Sequence, residues 1–295
     1  MVIDMTTYGT AGTSVERHKQ FVQVNGVDLC AETFGDPADP AILLIMGGGA
    51  SMDWWEDEFC ERLAAGPRFV IRYDHRDTGQ SVGYEPGSPG YTGRDLVTDA
   101  VGLLDAFGLD RAHIVGLSMG GGIAQAMAVD HPGRAASLTL MSTSAGGDDL
   151  PPMSAELQAA FSGAVAEPDW TDRAAVIDYL VEDARLYAAP SRTFEEEAMR
   201  ALLSRVYDRT ANMASAMNHF MVDGAGGSRE DLAAVTAPTL VLHGTEDPLF
   251  PSEHGRALAK AIPGARLVLL ERTGHEIPEV AWDTAIPEIL RHTAG

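Results

Sequence analysis

Short apolar runs punctuate the chain, and most of them are continuous rather than alternating: residues 41–45 (AILLI), 68–74 (RFVIRYD), 112–116 (AHIVG), 137–142 (SLTLMS), 239–244 (TLVLHG) and 265–270 (ARLVLL). A strand without alternation is buried on both faces, the mark of a parallel sheet covered by helices. Two earlier runs, 21–24 and 27–34, meet at Asn25-Gly26, a pair suited to the positive φ angles of a tight hairpin turn. Helix-period segments fill most of the intervals, at 53–65, 92–107, 119–129, 251–261 and 279–291. The order predicts an α/β architecture: a mostly parallel, eight-stranded, doubly wound sheet flanked by helices.

One interval breaks the rhythm. Residues 146–237 contain only helical patterns, at 155–165, 173–187 and 194–209, and end in the flexible stretch Gly224-Ala-Gly-Gly-Ser228. A helical block placed after the 137–142 strand lies over the carboxyl edge, where such sheets bind ligands, so it is expected to act as a cap or lid. The expected division is a loose tail at 1–20, a core built from 21–145 and 238–295, and the cap at 146–237.

Composition narrows the function. A chain of 295 residues with 45% hydrophobic content can bury one large core plus an insertion. A formal net charge of −22 argues against nucleic acid or any other polyphosphate partner. No apolar stretch approaches the roughly 18 residues that span a bilayer, and the first residues lack a basic end followed by an apolar core. A cytoplasmic protein without a membrane partner is therefore expected. Cys30 and Cys60 have neither metal-ligand nor redox spacing and read as buried thiols of a reducing compartment. No metal or cofactor is expected, and the pattern specifies no oligomeric state.

The chemistry centres on Gly116-Leu-Ser118-Met-Gly120, which lies between a strand and a helix. The spacing fits a nucleophile elbow, where glycines two positions either side let the chain turn sharply enough to present the hydroxyl. A serine needs a base and a carboxylate to orient that base. His275 follows the last strand on a loop at the sheet's carboxyl edge, while His75, after the 68–74 strand, is its rival. His113, His131 and His243 occupy positions that read as structural. Asp247 follows the preceding strand, with Glu246 directed the other way, so the chain order is Ser, Asp, His. The oxyanion would be held by the backbone N–H groups of Met119, at a helix start, and Gly48, in the loop Met46-Gly-Gly-Gly-Ala50. An apolar pocket is expected from Trp54 and Trp55 beside that loop, together with Met213, Met217 and Phe220 from the insertion.

Together these segments, from about residue 21 to residue 291, resemble the α/β-hydrolase family. Tyr73-Asp-His-Arg-Asp-Thr-Gly79-Gln-Ser81 resembles its D-x-R-G-x-G-x-S loop, with Asp77 in place of the first glycine, and Met46-Gly47 stands where many members have His-Gly. At closer range Gly35-Asp-Pro-Ala-Asp-Pro40, Met46-Gly-Gly48, Ile71–Gly79 and the elbow are similar to the aclacinomycin methylesterases of anthracycline biosynthesis. The resemblance implies a cofactor-free serine esterase acting on a small-molecule ester, in that case a methyl ester on a polyketide scaffold. Lactone or C–C bond hydrolysis and perhydrolysis use the same triad and stay open, as does a ligand-binding protein with an idle triad.

Overall fold

The computed structural model describes residues 15–164, 166–222 and 229–294. The start of the expected tail and the 224–228 stretch lie outside these described residues. The strands are β1 (Arg17–Val24), β2 (Val27–Phe34), β3 (Ala41–Ile45), β4 (Phe69–Tyr73), β5 (Ala112–Leu117), β6 (Ala135–Met141), β7 (Thr239–Gly244) and β8 (Arg266–Leu270). They form one sheet in the order β1-β2-β4-β3-β5-β6-β7-β8. The β1/β2 and β2/β4 pairs are antiparallel and all others parallel. Asn25 and Gly26 adopt φ of 46° and 77°, as the hairpin requires, and Val24 faces Val27 across the turn.

The α-helices are α1 (Asp57–Ala64), α2 (Gly93–Ala106), α3 (Met119–Asp130), α4 (Ala155–Ala159), α5 (Arg173–Tyr187), α6 (Glu196–Arg209), α7 (Glu253–Ala261) and α8 (Glu279–His292). The continuous apolar runs divide between two cores. In β3, Leu43 and Ile45 join Leu96, Ile123, Met127 and Leu258 from α2, α3 and α7 on one face. Ile42 and Leu44 join Phe59 and Leu63 of α1 with Trp282 and Ile286 of α8 on the other. This double burial explains why the runs lack alternation.

Some boundaries differ from the expected ones for physical reasons. β1 begins at Arg17 rather than 21, because an edge strand needs no apolar signal and residues 17–21 are exposed. The 53–65 pattern divides into a 3-10 turn at Met52–Trp54 and α1. The 155–165 pattern yields only the short α4 and a wider turn broken at Gly163, whose φ is 80°. Among the described residues between β6 and β7 the regular elements are helices, the last two of them 3-10 helices at Met213–Phe220 and Asp231–Ala234.

A charged clamp joins this helical segment to the sheet. Arg209, the last residue of α6, donates to Asp74 through Nη1 and Nη2 at 2.6 and 2.7 Å and to Asp53 through Nε at 2.8 Å. Asp74 is fully buried and also accepts from the N–H groups of Met52 and Gln80. Nearby, Asp77 sits at φ 65° where the resembling motif has glycine. Aspartate tolerates this region because its short side chain bonds locally, and here the carboxylate accepts from Tyr84 N–H, Tyr91 Oη and Asn218 Nδ2. Among the described residues, no helix is long and apolar enough to cross a membrane. Cys30 and Cys60 are free and buried.

Candidate active site

Ser118 ends β5 and precedes α3 with φ 53° and ψ −118°, a strained geometry for a residue with a Cβ, costing roughly 1–3 kcal/mol. The surroundings hold it there. Its N–H donates to Met141 O, and Thr143 Oγ1 donates to its carbonyl. The flanking glycines are obligatory: a Cβ on Gly116 would lie 2.2 Å from Gly120 O, and one on Gly120 would lie 2.2 Å from Ile45 O. Both obstructions are backbone, so no side-chain rotation relieves them. Ser118 is half-buried, and its hydroxyl makes no hydrogen bond with any described residue.

Asp247 and His275 follow β7 and β8, so all three groups lie beyond the carboxyl ends of parallel strands. His275 Nδ1 donates to Asp247 Oδ2 at 2.9 Å. The other oxygen, Oδ1, accepts from the N–H groups of Leu249 and Phe250. Burial would raise the Asp247 pKa, but the facing His275 and these donors outweigh it and hold the carboxyl below its ordinary range. The imidazole lies between the rings of Tyr187 and Phe250, at 5.9 and 5.4 Å, and its backbone N–H donates to Tyr187 O. Glu246 turns away and accepts from Ser191.

The other histidines are committed elsewhere. His243 donates from Nε2 to Phe250 O and lies 3.6 Å from Asp247, while His113 meets Ser137 Oγ. His75, the rival base, lies buried under the glycine loop, and its Nε2 donates to Met46 O at 3.0 Å. Among the described residues its Nδ1 has no partner, so no carboxylate there orients it.

The loop 46–50 packs directly on the elbow. A Cβ on Gly47 would lie 3.4 Å from Ser118 Cβ, and one on Gly48 would lie 3.5 Å from Met119 Sδ and 3.3 Å from the Phe220 ring. Gly49 N–H donates to His219 Nδ1 at 2.9 Å, and His219 Nε2 donates to Arg76 O at 2.7 Å. The loop therefore leans on a histidine of the helical segment, a role that no periodicity in the sequence signals. Asn218 beside it bonds Asp77, Glu85 O and Gly87 N–H.

Burial pushes both His75 and His219 down to about 4, with the mutual proximity of the rings adding to the effect at His219. A histidine held neutral in the native state takes up a proton on unfolding below its unfolded value near 6.5, so its stabilisation is present above that pH and is lost as pH falls toward 4. These two groups together contribute a loss of about 3 kcal/mol between pH 6.5 and 5, to which His113, also lowered to about 4 by burial, and His243 and His292, lowered by burial as well, add. Urea unfolding of the wild type and of a His219→Asn chain at both pH values measures this, and the variant should lose about 1.5 kcal/mol less. An identical pH dependence in that chain would exclude His219 as a source.

The expected pocket residues separate. Phe220 and Met217 are exposed at 54% and 38%, with the Phe220 ring over Gly48 and Gly49 and edge-on to Phe161. Met213 is half-buried on the same 3-10 helix. Trp54 is half-buried and packs against Ile177, Val181 and Leu203, beneath α5 and α6. Trp55 is a correction: it is 1% exposed and stacks on Phe59 in the core beside α1. Adjacent residues of the 3-10 turn and its exit face different ways, and the apolar side chain that met the sheet was drawn inward.

A family profile described as alpha/beta hydrolase fold matches residues 40–281. A rhodomycin D methylesterase of Streptomyces sp. (strain C5) is 36% identical, over 90% of this chain and 95% of its own length. Its counterpart from Streptomyces peucetius is 35% identical over the same shares. Among solved structures, the 2-hydroxy-6-oxo-6-phenylhexa-2,4-dienoate hydrolase of Rhodococcus sp. strain RHA1 superposes with a TM-score of 0.75 at 25% identity, covering 96% of this chain and 100% of that one.

Proposed function

This chain belongs to the α/β-hydrolase family and is a hydrolase of the esterase type, and from that premise we propose that it cleaves a carboxylic ester through Ser118, His275 and Asp247. The observation that carries the reading is the 2.9 Å bond from His275 to a buried Asp247, on the same sheet edge as a serine held at positive φ. Ser118 Oγ attacks the ester carbonyl while His275 Nε2 takes its proton. Asp247 holds the imidazole and stabilises its charge. The N–H groups of Gly48 and Met119 face the developing oxyanion, the second at the positive end of α3. His275 returns the proton to the leaving alcohol. Water, deprotonated by the same imidazole, then releases the acid and restores Ser118.

Residues 146–237 act as the cap in this reading, and no cofactor takes part. The similarity to rhodomycin D methylesterases favours a methyl ester on a polycyclic aromatic acid, and the exposed Phe220 over Gly48, with Phe161 edge-on to it and the exposed Met217 on the same 3-10 helix, suits such a scaffold. The test is methanol release from methyl esters of polycyclic aromatic acids, run beside an aryl dienoate C–C substrate and a lactone. Methanol release with burst labelling of Ser118 by a fluorophosphonate is the expected result. Turnover confined to the C–C substrate or the lactone would replace the ester assignment, and binding without turnover of any substrate would make the chain a ligand-binding protein.

A further inference from the structure

We infer that His219 is a positioning residue that sets the direction of the oxyanion donor in the glycine loop, and that His75 does the same from the other end. The inference rests on the reading that the Gly48 N–H faces the oxyanion. Three consecutive glycines give this loop more backbone freedom than any other tripeptide, yet an oxyanion donor is effective only when its direction is set before the charge develops. The structure supplies the constraint from outside the loop. His75 Nε2 donates to the carbonyl of Met46, in the peptide unit before Gly47. His219 Nδ1 accepts from the N–H of Gly49, in the peptide unit after Gly48. The one unit between them, Gly47–Gly48, carries the proposed donor, and its carbonyl accepts from Ala50 N–H at 3.4 Å.

The two imidazoles form one buried stack. Their rings are edge-to-face with centroids 5.6 Å apart, and His219 makes a second such contact with Tyr91. His219 is in turn fixed by donating to Arg76 O, so its Nδ1 is left as an acceptor and not a donor. Asp77 and His75 are the titratable neighbours whose charge His219 senses. Because His219 belongs to the Met213–Phe220 helix, the helical segment completes the oxyanion site as well as covering it.

Two substitutions divide the two hydrogen bonds of the ring. In His219→Asn, Oδ1 takes the place of Nδ1 and still accepts from Gly49, whereas the donor to Arg76 O is lost. In His219→Gln, the amide nitrogen keeps the donor to Arg76 O, and the acceptor is withdrawn from Gly49. With p-nitrophenyl butyrate, His219→Gln should lower kcat roughly 10- to 100-fold, with KM within about threefold and fluorophosphonate labelling slowed in step. His219→Asn should restore kcat to within about fivefold of wild type. A purely structural role predicts instead that both chains lose activity in proportion to their Tm, and that ranking, or a kcat for His219→Gln within threefold of wild type, overturns the inference. Should the Gln chain not fold, the Asn chain alone decides: a drop of more than tenfold at unchanged Tm overturns it, and retained kcat supports it. Wild-type protein that the fluorophosphonate labels anywhere but Ser118 overturns the underlying site reading and this inference with it. Labelling of Ser118 together with an unaffected His219→Gln sinks the inference alone.

Discussion

Ser118→Ala is expected to lower kcat on any accepted ester by about 10⁴- to 10⁶-fold, equivalent to roughly 5 to 8 kcal/mol of barrier. The magnitude follows from the division of labour in the site. In the proposed mechanism, without the hydroxyl, His275 and Asp247 would have no nucleophile to activate, and only substrate binding and the backbone donors would continue to act on the carbonyl. Stability should barely change, because the Ser118 hydroxyl makes no hydrogen bond with the described residues and alanine meets the same backbone strain at φ 53°. Steady-state kinetics and a thermal melt on the same preparation measure both. Residual turnover within a hundredfold of wild type would assign the nucleophile elsewhere.

Arg209→Met is expected to cost about 3 to 5 kcal/mol of stability, the range seen when one partner of a buried ion pair is removed. Arg209 is the cation that both Asp53 and Asp74 face. Burial alone would raise the pKa of Asp53, yet the guanidinium holds it below the ordinary carboxylate range. Removing the cation leaves a fully buried Asp74 with, among the described residues, only the N–H donors of Met52 and Gln80 and releases α6 from the loop after β4. Arg209→Lys should recover only part of the loss, since one ammonium cannot reproduce the planar fork that meets two carboxylates. Urea denaturation of both chains checks the order, and a loss below about 1 kcal/mol for the methionine variant would show that the carboxylates find other partners.

The parts that were legible in the chain share a local cause. The parallel strands could be read because residues buried on both faces must be apolar, as Leu43 and Leu44 are on opposite sides of β3. The elbow could be read because backbone crowding at Gly116 and Gly120 admits no side chain, and the hairpin because Asn25 and Gly26 meet the φ demand of their own turn. Asp247 and His275 could be nominated because connections in such a sheet return each loop to the same edge.

What lay beyond reach depends on contacts between residues far apart in sequence. Nothing within the 52–55 turn distinguishes Trp54, which meets α5 and α6, from Trp55, which enters the core against Phe59. His75 had the position of a base, and only the loop folded over it makes it a support for Met46. His219 lies 170 residues from the Gly49 amide that it holds, and Arg209 lies 135 from Asp74. By itself the sequence determined the sheet, the turn that strains Ser118 and the identity of the groups at the sheet's edge, because each is dictated by local sterics or by burial along one strand. Only the tertiary structure decided which histidine meets a carboxylate and which ones brace the glycine loop, because a hydrogen bond is specified by direction and distance in space, and neither is written in the order of residues.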